Sequence, residues 1–398
     1  MREGTEASVA PRSERSDDEG QPDLICFSHL RWNFVYQRPQ HLLSRISLRR
    51  RVFFFEEPVF DGGQARLDIS VADGGRVHIA VPHLPHGLTE EACFEAQRAL
   101  VDRMIEEHAI QRHVLWYYTP MALPFSRHLA PEAVLYDCMD ELSAFAGAPR
   151  CSREREAELF RRADVVLTGG ESLYEAKRDH HPNVHPLPSS VDVAHFSRAR
   201  SLDTLPADLE KIPRPRLGFF GVIDERMDVE LIAAIAAQRP DFNFVFIGPV
   251  VKIDPASLPR LPNVHYLGAR SYNDLPGYLA GWDVALLPFA RNESTRFISP
   301  TKTPEYLAAG KPVVSTSIRD VVRPYGAMGF VRIADTPTDF IAAVDAYLEE
   351  ERSATVAKID TFLSQMSWDK TAARAEELLD AAVVTRRSTR VEDTCSTI

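Results

Sequence analysis

Lys302 and Glu305 lie one helical turn apart in the run Phe297-Ile298-Ser299-Pro300-Thr301-Lys302-Thr303-Pro304-Glu305-Tyr306-Leu307-Ala308-Ala309-Gly310-Lys311-Pro312-Val313-Val314. Ser299, Thr301 and Thr303 around the prolines make a helix start, Gly310 is placed to end that helix in a left-handed conformation, and Pro312 forbids its continuation before an apolar strand. A short helix whose amino end faces a crevice offers backbone N–H groups and a partial positive pole to a phosphate. Lys302 adds a full charge, and Glu305 can accept hydrogen bonds from two hydroxyls of a ribose. The same pair would equally complement an exposed helix end, because a first-turn glutamate suits the dipole with no ligand at all.

Two further groups have useful chemistry. Ser28-His29-Leu30-Arg31-Trp32-Asn33-Phe34-Val35-Tyr36-Gln37-Arg38-Pro39 follows an apolar strand, and Pro39 fits the first turn of a helix, leaving an aromatic-rich loop above the strand ends. Sugar rings present apolar C–H faces and hydroxyl edges, so Trp32, Asn33, Tyr36, Gln37 and Arg38 suit a saccharide or a lipid-linked diphosphate; the aromatics would also suit a domain interface. His29 could hydrogen-bond an attacking hydroxyl or be structural. Asp137 and Asp140, in Tyr136-Asp137-Cys138-Met139-Asp140, could each act as a base or cap the next turn. Glu57 and Gly169-Gly170-Glu171-Ser172 also follow strands, with helix capping the simpler role for Ser172. The chain has no G-x-x-x-x-G-K-[ST], no G-x-G-x-x-G after the first strand, no G-x-S-x-G and no H-E-x-x-H, which argues against P-loop, dinucleotide, serine-hydrolase and zinc-protease chemistry. With no Asp-x-Asp at a strand end and no ligand spacing among 13 histidines, no metal is expected.

These segments need strands to carry them. Short β-branched and aromatic runs alternate with helical spacing, the pattern of an α/β protein with parallel sheets. Strands are expected at 24–28, 52–56, 77–81, 114–118, 134–138, 165–168 and 184–187, with helices at 39–46, 90–107 and 153–162. After the proline-rich stretch 200–216 a second series follows at 217–220, 244–247, 264–267, 284–288, 313–316 and 331–333. At roughly 150 residues per domain, 398 residues allow about two to three units. The reading is a disordered tail at 1–22, a domain at 23–200, a linker at 201–215, a second domain at 216–368, a helix at 369–386 returning to the first domain, and a disordered tail at 387–398. A formal charge of −11 gives no steering toward nucleic acid. Five scattered cysteines without a C-x-x-C pair, and no apolar leader or run long enough to span a bilayer, lead to the expectation of a cytoplasmic protein.

The segment around Lys302 and Glu305 resembles the nucleotide-sugar site of retaining family-4 glycosyltransferases of GT-B fold. Leu217-Gly218-Phe219-Phe220-Gly221, Asn263-Val264-His265-Tyr266-Leu267-Gly268, Gly281-Trp282-Asp283-Val284-Ala285-Leu286-Leu287-Pro288-Phe289 and Pro188-Ser189-Ser190-Val191-Asp192 resemble other family pieces in order. The resemblance implies two Rossmann-like domains facing each other across a central cleft. It also implies a nucleoside-diphosphate-sugar donor at Gly221, Arg226, Gly268, Ser299, Thr301, Lys302, Thr303 and Glu305, a saccharide or lipid-linked acceptor on the first domain, and a retained anomeric configuration. No cofactor, metal or nucleic acid is implied; loose contact with the inner face of a bacterial membrane is expected. Phe297 stands where the family carries its sugar-contacting glutamate, Val222 where it usually has an arginine, and Tyr136 replaces a histidine. A nucleotide-sugar epimerase and a non-catalytic partner subunit stay open as alternatives.

Overall fold

In the computed structural model, which describes residues 20–395, the chain forms two sheets. The first contains β1 (Asp23–Phe27), β2 (Val52–Phe55), β3 (Val59–Phe60), β4 (Arg66–Ala72), β5 (Val77–Leu84), β6 (His113–Tyr117), β7 (Val134–Cys138), β8 (Val165–Thr168) and β9 (Val184–Pro186). The second contains β10 (Arg216–Phe220), β11 (Asn243–Ile247), β12 (Val264–Gly268), β13 (Val284–Leu287), β14 (Val313–Ser315) and β15 (Val331–Ile333). Every strand expected from the sequence forms. The unanticipated β3 and β4 lie beside β5, and β4 is antiparallel to it. Leu67 and Ile69 are half-buried between exposed Arg66, Asp68 and Ser70, an alternating edge pattern that apolar runs alone do not show.

The first sheet is ordered β3-β5-β2-β1-β6-β7-β8-β9 and the second β12-β11-β10-β13-β14-β15. In β1, Leu24 and Cys26 enter one core layer and Ile25 and Phe27 the other, so a sheet covered on both faces needs an unbroken apolar strand. The strand order reverses beside β1 in one sheet and β10 in the other. Parallel sheets leave a crevice at such points, beyond the carboxyl ends of the strands. The loop from Ser28 and the turn at Gly221 leave from those two ends.

The closing helix Trp368–Cys395 returns to the first domain, placing Trp368, Ala372, Ala375 and Leu379 in its core, with Trp368 stacked on His41 at 4.3 Å. Burying a leucine such as Leu379 contributes about 1.5–3 kcal/mol. This helix continues through 387–395, so that part of the expected tail is helical; Arg387 pairs with Glu132 at 2.9 Å. Residues 1–19 and 396–398 of the expected tails lie outside the described residues. Gln21 accepts a hydrogen bond from Arg50 at 2.6 Å and is thus tied to the domain. The stretch expected as a linker carries the helix Ala207–Glu210, and its Leu209 and the following Ile212 are buried in the core of the second domain.

Candidate active site

The carboxyl ends of both sheets enclose a cavity of about 510 Å³. Its second-domain wall begins at the ends of β10 and β11. Gly221 has φ +135° and Gly248 φ +144°, values that L side chains rarely adopt, and a Cβ on Gly248 would lie 1.9 Å from the Gly221 carbonyl oxygen. Hydrogen bonds from Gly221 N–H to Ile247 O at 2.8 Å and from Gly248 N–H to Gly268 O at 2.9 Å join three strand ends. Lys302 lies directly on this bare backbone: a Cβ on Gly221 would meet its Cε at 2.2 Å and its Nζ at 2.7 Å.

Lys302 opens the helix Lys302–Ala308, and Glu305 follows one turn later; both line the cavity. Thr301 is the residue before the helix and makes no side-chain cap, and it lines the cavity together with Ser299. The Glu305 side chain is buried without a hydrogen-bond partner among the described residues. Burial pushes its carboxyl up and the Lys302 charge pulls it back, while burial and the Arg226 guanidinium push the Lys302 ammonium down. Four cationic side chains line the cavity: Arg38, Arg226, Arg270 and Lys302. The first three are paired with Asp137, Asp224 and Asp208 respectively, so Lys302 is the lining cation without a carboxylate in ion-pair contact among the described residues.

The first-domain wall is the loop after β1. Glu56 accepts the Trp32 backbone N–H at 2.8 Å, and Gln40 donates to the Trp32 and Val35 carbonyls at 2.6 and 3.1 Å, pinning the loop from both sides. Trp32 is mostly core, set edge-on against Phe54 at 5.0 Å, whereas Asn33, Phe34, Tyr36 and Gln37 face the cavity. Tyr36 also meets Tyr272 of the second domain with ring centroids 4.7 Å apart. Asp140 completes this wall, and burial raises its carboxyl to about 6 against the pull of Arg226 and Lys302.

Several expected site residues sit elsewhere. Asp137 is fully buried, off the cavity, and takes both contacts of Arg38 Nε at 2.9 and 3.1 Å; Arg38 also donates to the Leu187 carbonyl at 2.8 Å. Arg38 therefore reaches the wall as half of a buried ion pair, and Asp137 is its counter-charge rather than a base facing substrate. His29 does not line the cavity, and burial and the Lys252 charge lower its imidazole to about 4, leaving it neutral. Thr303 is fully buried, and Gly268 contributes a carbonyl to Gly248 rather than a surface to the cavity. Arg226 is on the wall but clasps Asp224 at 2.6 Å and stacks over Phe145 at 5.5 Å. Phe297 turns away from the cavity and packs against the core of the first domain. Gly248, Ser189, Arg270 and Tyr272 were not anticipated. Gly248 had a signal, since it closes an apolar strand just as Gly221 does; Tyr272 is placed by stacking on His195 at 4.2 Å, which no local pattern reveals.

Comparisons with known proteins agree with this architecture. Residues 214–350 match the family described as Glycosyl transferases group 1. A curated relative from Bacillus subtilis (strain 168), "Putative teichuronic acid biosynthesis glycosyltransferase TuaH", is 29% identical over 271 residues, covering 62% of this chain and 66% of the relative, so the match spans just under two thirds of that protein. Among solved structures, "Trehalose-6-phosphate from E. coli bound with UDP-2-fluoro glucose" superposes with a TM-score of 0.65 at 12% identity, covering 89% of this chain and 98% of that one. Sucrose-phosphate synthase from Thermosynechococcus elongatus gives 0.62 at 14% identity over 94% of this chain and 100% of that one. The starch synthase IV catalytic domain from Arabidopsis thaliana, bound to ADP and acarbose, gives 0.64 at 10% identity over 92% and 100%. At such identities the superpositions speak to the fold, and the family match speaks to the second domain, which holds Lys302 and Glu305. Residues 214–350 are therefore similar to the group 1 glycosyltransferases, and the chain has the GT-B fold.

Proposed function

We propose that the chain moves a sugar from a nucleoside-diphosphate sugar, held on the second domain, to a saccharide or lipid-linked acceptor held on the first. The observation that carries this reading is the pair Lys302 and Glu305, set one turn apart on the cavity wall, the cation without an ion-pair partner and the carboxylate without a hydrogen-bond partner among the described residues. Breaking the bond between the anomeric carbon and the diphosphate sends its electron pair to the departing phosphate oxygen, and Lys302 is positioned to neutralise that charge. Glu305 receives the ribose hydroxyls. The acceptor oxygen bonds to the anomeric carbon and loses its proton to the leaving diphosphate or to Asp140. Positive charge supplied by Lys302 fits transfer without a metal. Retention follows from the resemblance to the retaining family. The teichuronic acid role in the relative's name supports an acceptor in cell-surface polysaccharide assembly, with a cytoplasmic protein working at the inner membrane face. No described helix is long and apolar enough to cross a membrane.

A thermal-shift and hydrolysis screen of UDP-, GDP- and ADP-sugars tests the reading. One donor should raise the melting midpoint, as expected for a ligand that binds only the folded state, and should be hydrolysed slowly without acceptor. If none binds at millimolar concentration the reading fails; binding without turnover would favour a non-catalytic partner, and turnover of donor alone into an isomer would favour an epimerase.

Asp140 adds a pH test. Its carboxyl is raised to about 6, so it is ionised above that pH and protonated below it. If the ionised form receives the acceptor proton, the acceptor kcat/KM at saturating donor, where Glu305 is already engaged, should fall about tenfold per unit below pH 6. Asp140→Asn should lower the plateau and remove that acidic limb. A wild-type profile flat from pH 5 to 8 would rule Asp140 out as the group that titrates.

A further inference from the structure

The two domains meet at a second place, on the far side of the loop that carries Ser299. The first-domain helix Glu171–Lys177 begins at Gly170, which has no side chain to offer its first turn. The missing acceptor comes from the other domain: Asp320, just after β14, receives the Ser172 backbone N–H through Oδ1 at 3.0 Å in a buried bond. Gly170 has room for nothing more, since a Cβ there would lie 2.2 Å from Asp320 Oδ2 and 2.6 Å from the Ser299 Cβ. Arg319, beside Asp320, pairs with Glu175 across the same seam, and Phe297, on the loop that Ser299 shares, packs half-buried against the first-domain core. Ser299 itself lies on the cavity wall, three residues before Lys302.

We propose that Asp320 is a positioning residue: by capping a helix of the opposite domain while it and Ser299 crowd onto the bare Gly170, it fixes the closed register in which the Ser299–Lys302 wall faces Asp140. The position of Phe297 fits this assignment. Its side chain packs on the neighbouring domain, so the loop that carries Ser299 is held from the seam side. Breaking the bond leaves the Ser172 N–H buried and unpaired unless the seam opens to water, so loss of the carboxylate shifts the chain toward an open cleft.

The kinetic part of this proposal rests on the transfer reading above; the geometric part does not. Small-angle scattering of the unliganded protein and steady-state kinetics should be measured for Asp320→Ala, Asp320→Asn and Gly170→Ala. Asp320→Ala and Gly170→Ala should each raise the radius of gyration, raise the donor KM and lower kcat by about tenfold or more. Asp320→Asn keeps a carbonyl acceptor for Ser172 and should stay within about threefold of wild type. If Asp320→Ala does not fold, Gly170→Ala carries the same expectation. Unchanged scattering and kinetics in the alanine variants, or an Asn variant as impaired as the Ala variant, would overturn the assignment. Altered scattering in a chain that turns over no donor would uphold the seam and count instead against sugar transfer.

Discussion

Lys302→Ala is expected to lower kcat for sugar transfer by about 10²–10³-fold, the effect of removing one preorganised charge from the place where negative charge develops. That corresponds to about 3–4 kcal/mol of lost transition-state stabilisation. The site is built so that this charge has little else to do. Lys302 has no carboxylate in ion-pair contact among the described residues, rests on the bare Gly221 backbone, and holds its Nζ 5.6 Å from the Phe219 ring centroid. Burial and Arg226 push its ammonium below the usual lysine range, so the folded protein holds the charge at a cost that a bound diphosphate would relieve. Two outcomes follow. Lys302→Ala should melt no lower than wild type by more than a few degrees, because a poorly solvated charge has been removed. Lys302→Met, which keeps the apolar stem over Gly221, should be as inactive as the alanine variant. Stopped assays with the donor found in the screen measure both. A Lys302→Met enzyme with near-wild-type kcat would mean that the charge does not face the leaving group.

The contrast between Lys302 and Arg38 shows what a linear sequence reveals. Lys302 and Glu305 could be placed because local rules position them: a proline-bounded helix start, a glycine stop and a strand on each side. The strands were legible for the same reason, since both sheets are covered on two faces and demand unbroken apolar runs. Arg38 and Asp137 are equally polar and equally close to strand ends, yet they face each other across 99 residues of chain in the interior. Nothing local separates a charge left without an ion-pair partner from one already matched by the fold. Phe297 makes the same point in reverse: the sequence shows that a glutamate is missing, and only the packing of two domains shows what the phenylalanine does in its place. Tyr272 and Asp320 also depend on contacts between domains and left no periodic trace.

Asp137→Ala should therefore act as a folding mutation rather than a catalytic one, destabilising the first domain by about 3–5 kcal/mol. Arg38 is 1% and Asp137 0% exposed, and alanine at 137 leaves a guanidinium in the interior with only the Leu187 carbonyl among its present partners. For a domain of this size about 3–5 kcal/mol lowers the melting midpoint by roughly 6–20 °C. Asp137 is not a simple source of stability, however. Burial pushes its carboxyl up despite Arg38, so desolvation outweighs the attraction. A buried pair of that kind can be replaced by apolar residues of similar volume with little loss, whereas removing one member is costly. The double variant Arg38→Met, Asp137→Leu should thus regain much of the stability that Asp137→Ala loses, although Leu187 then gives up its donor. Denaturant unfolding followed by first-domain tryptophan fluorescence measures this, and kcat per folded molecule separates the two roles. Full activity in the folded fraction of Asp137→Asn is expected. A folded Asp137→Asn enzyme whose kcat has dropped a hundredfold would return Asp137 to the chemistry, leaving Arg38 as the group that orients it.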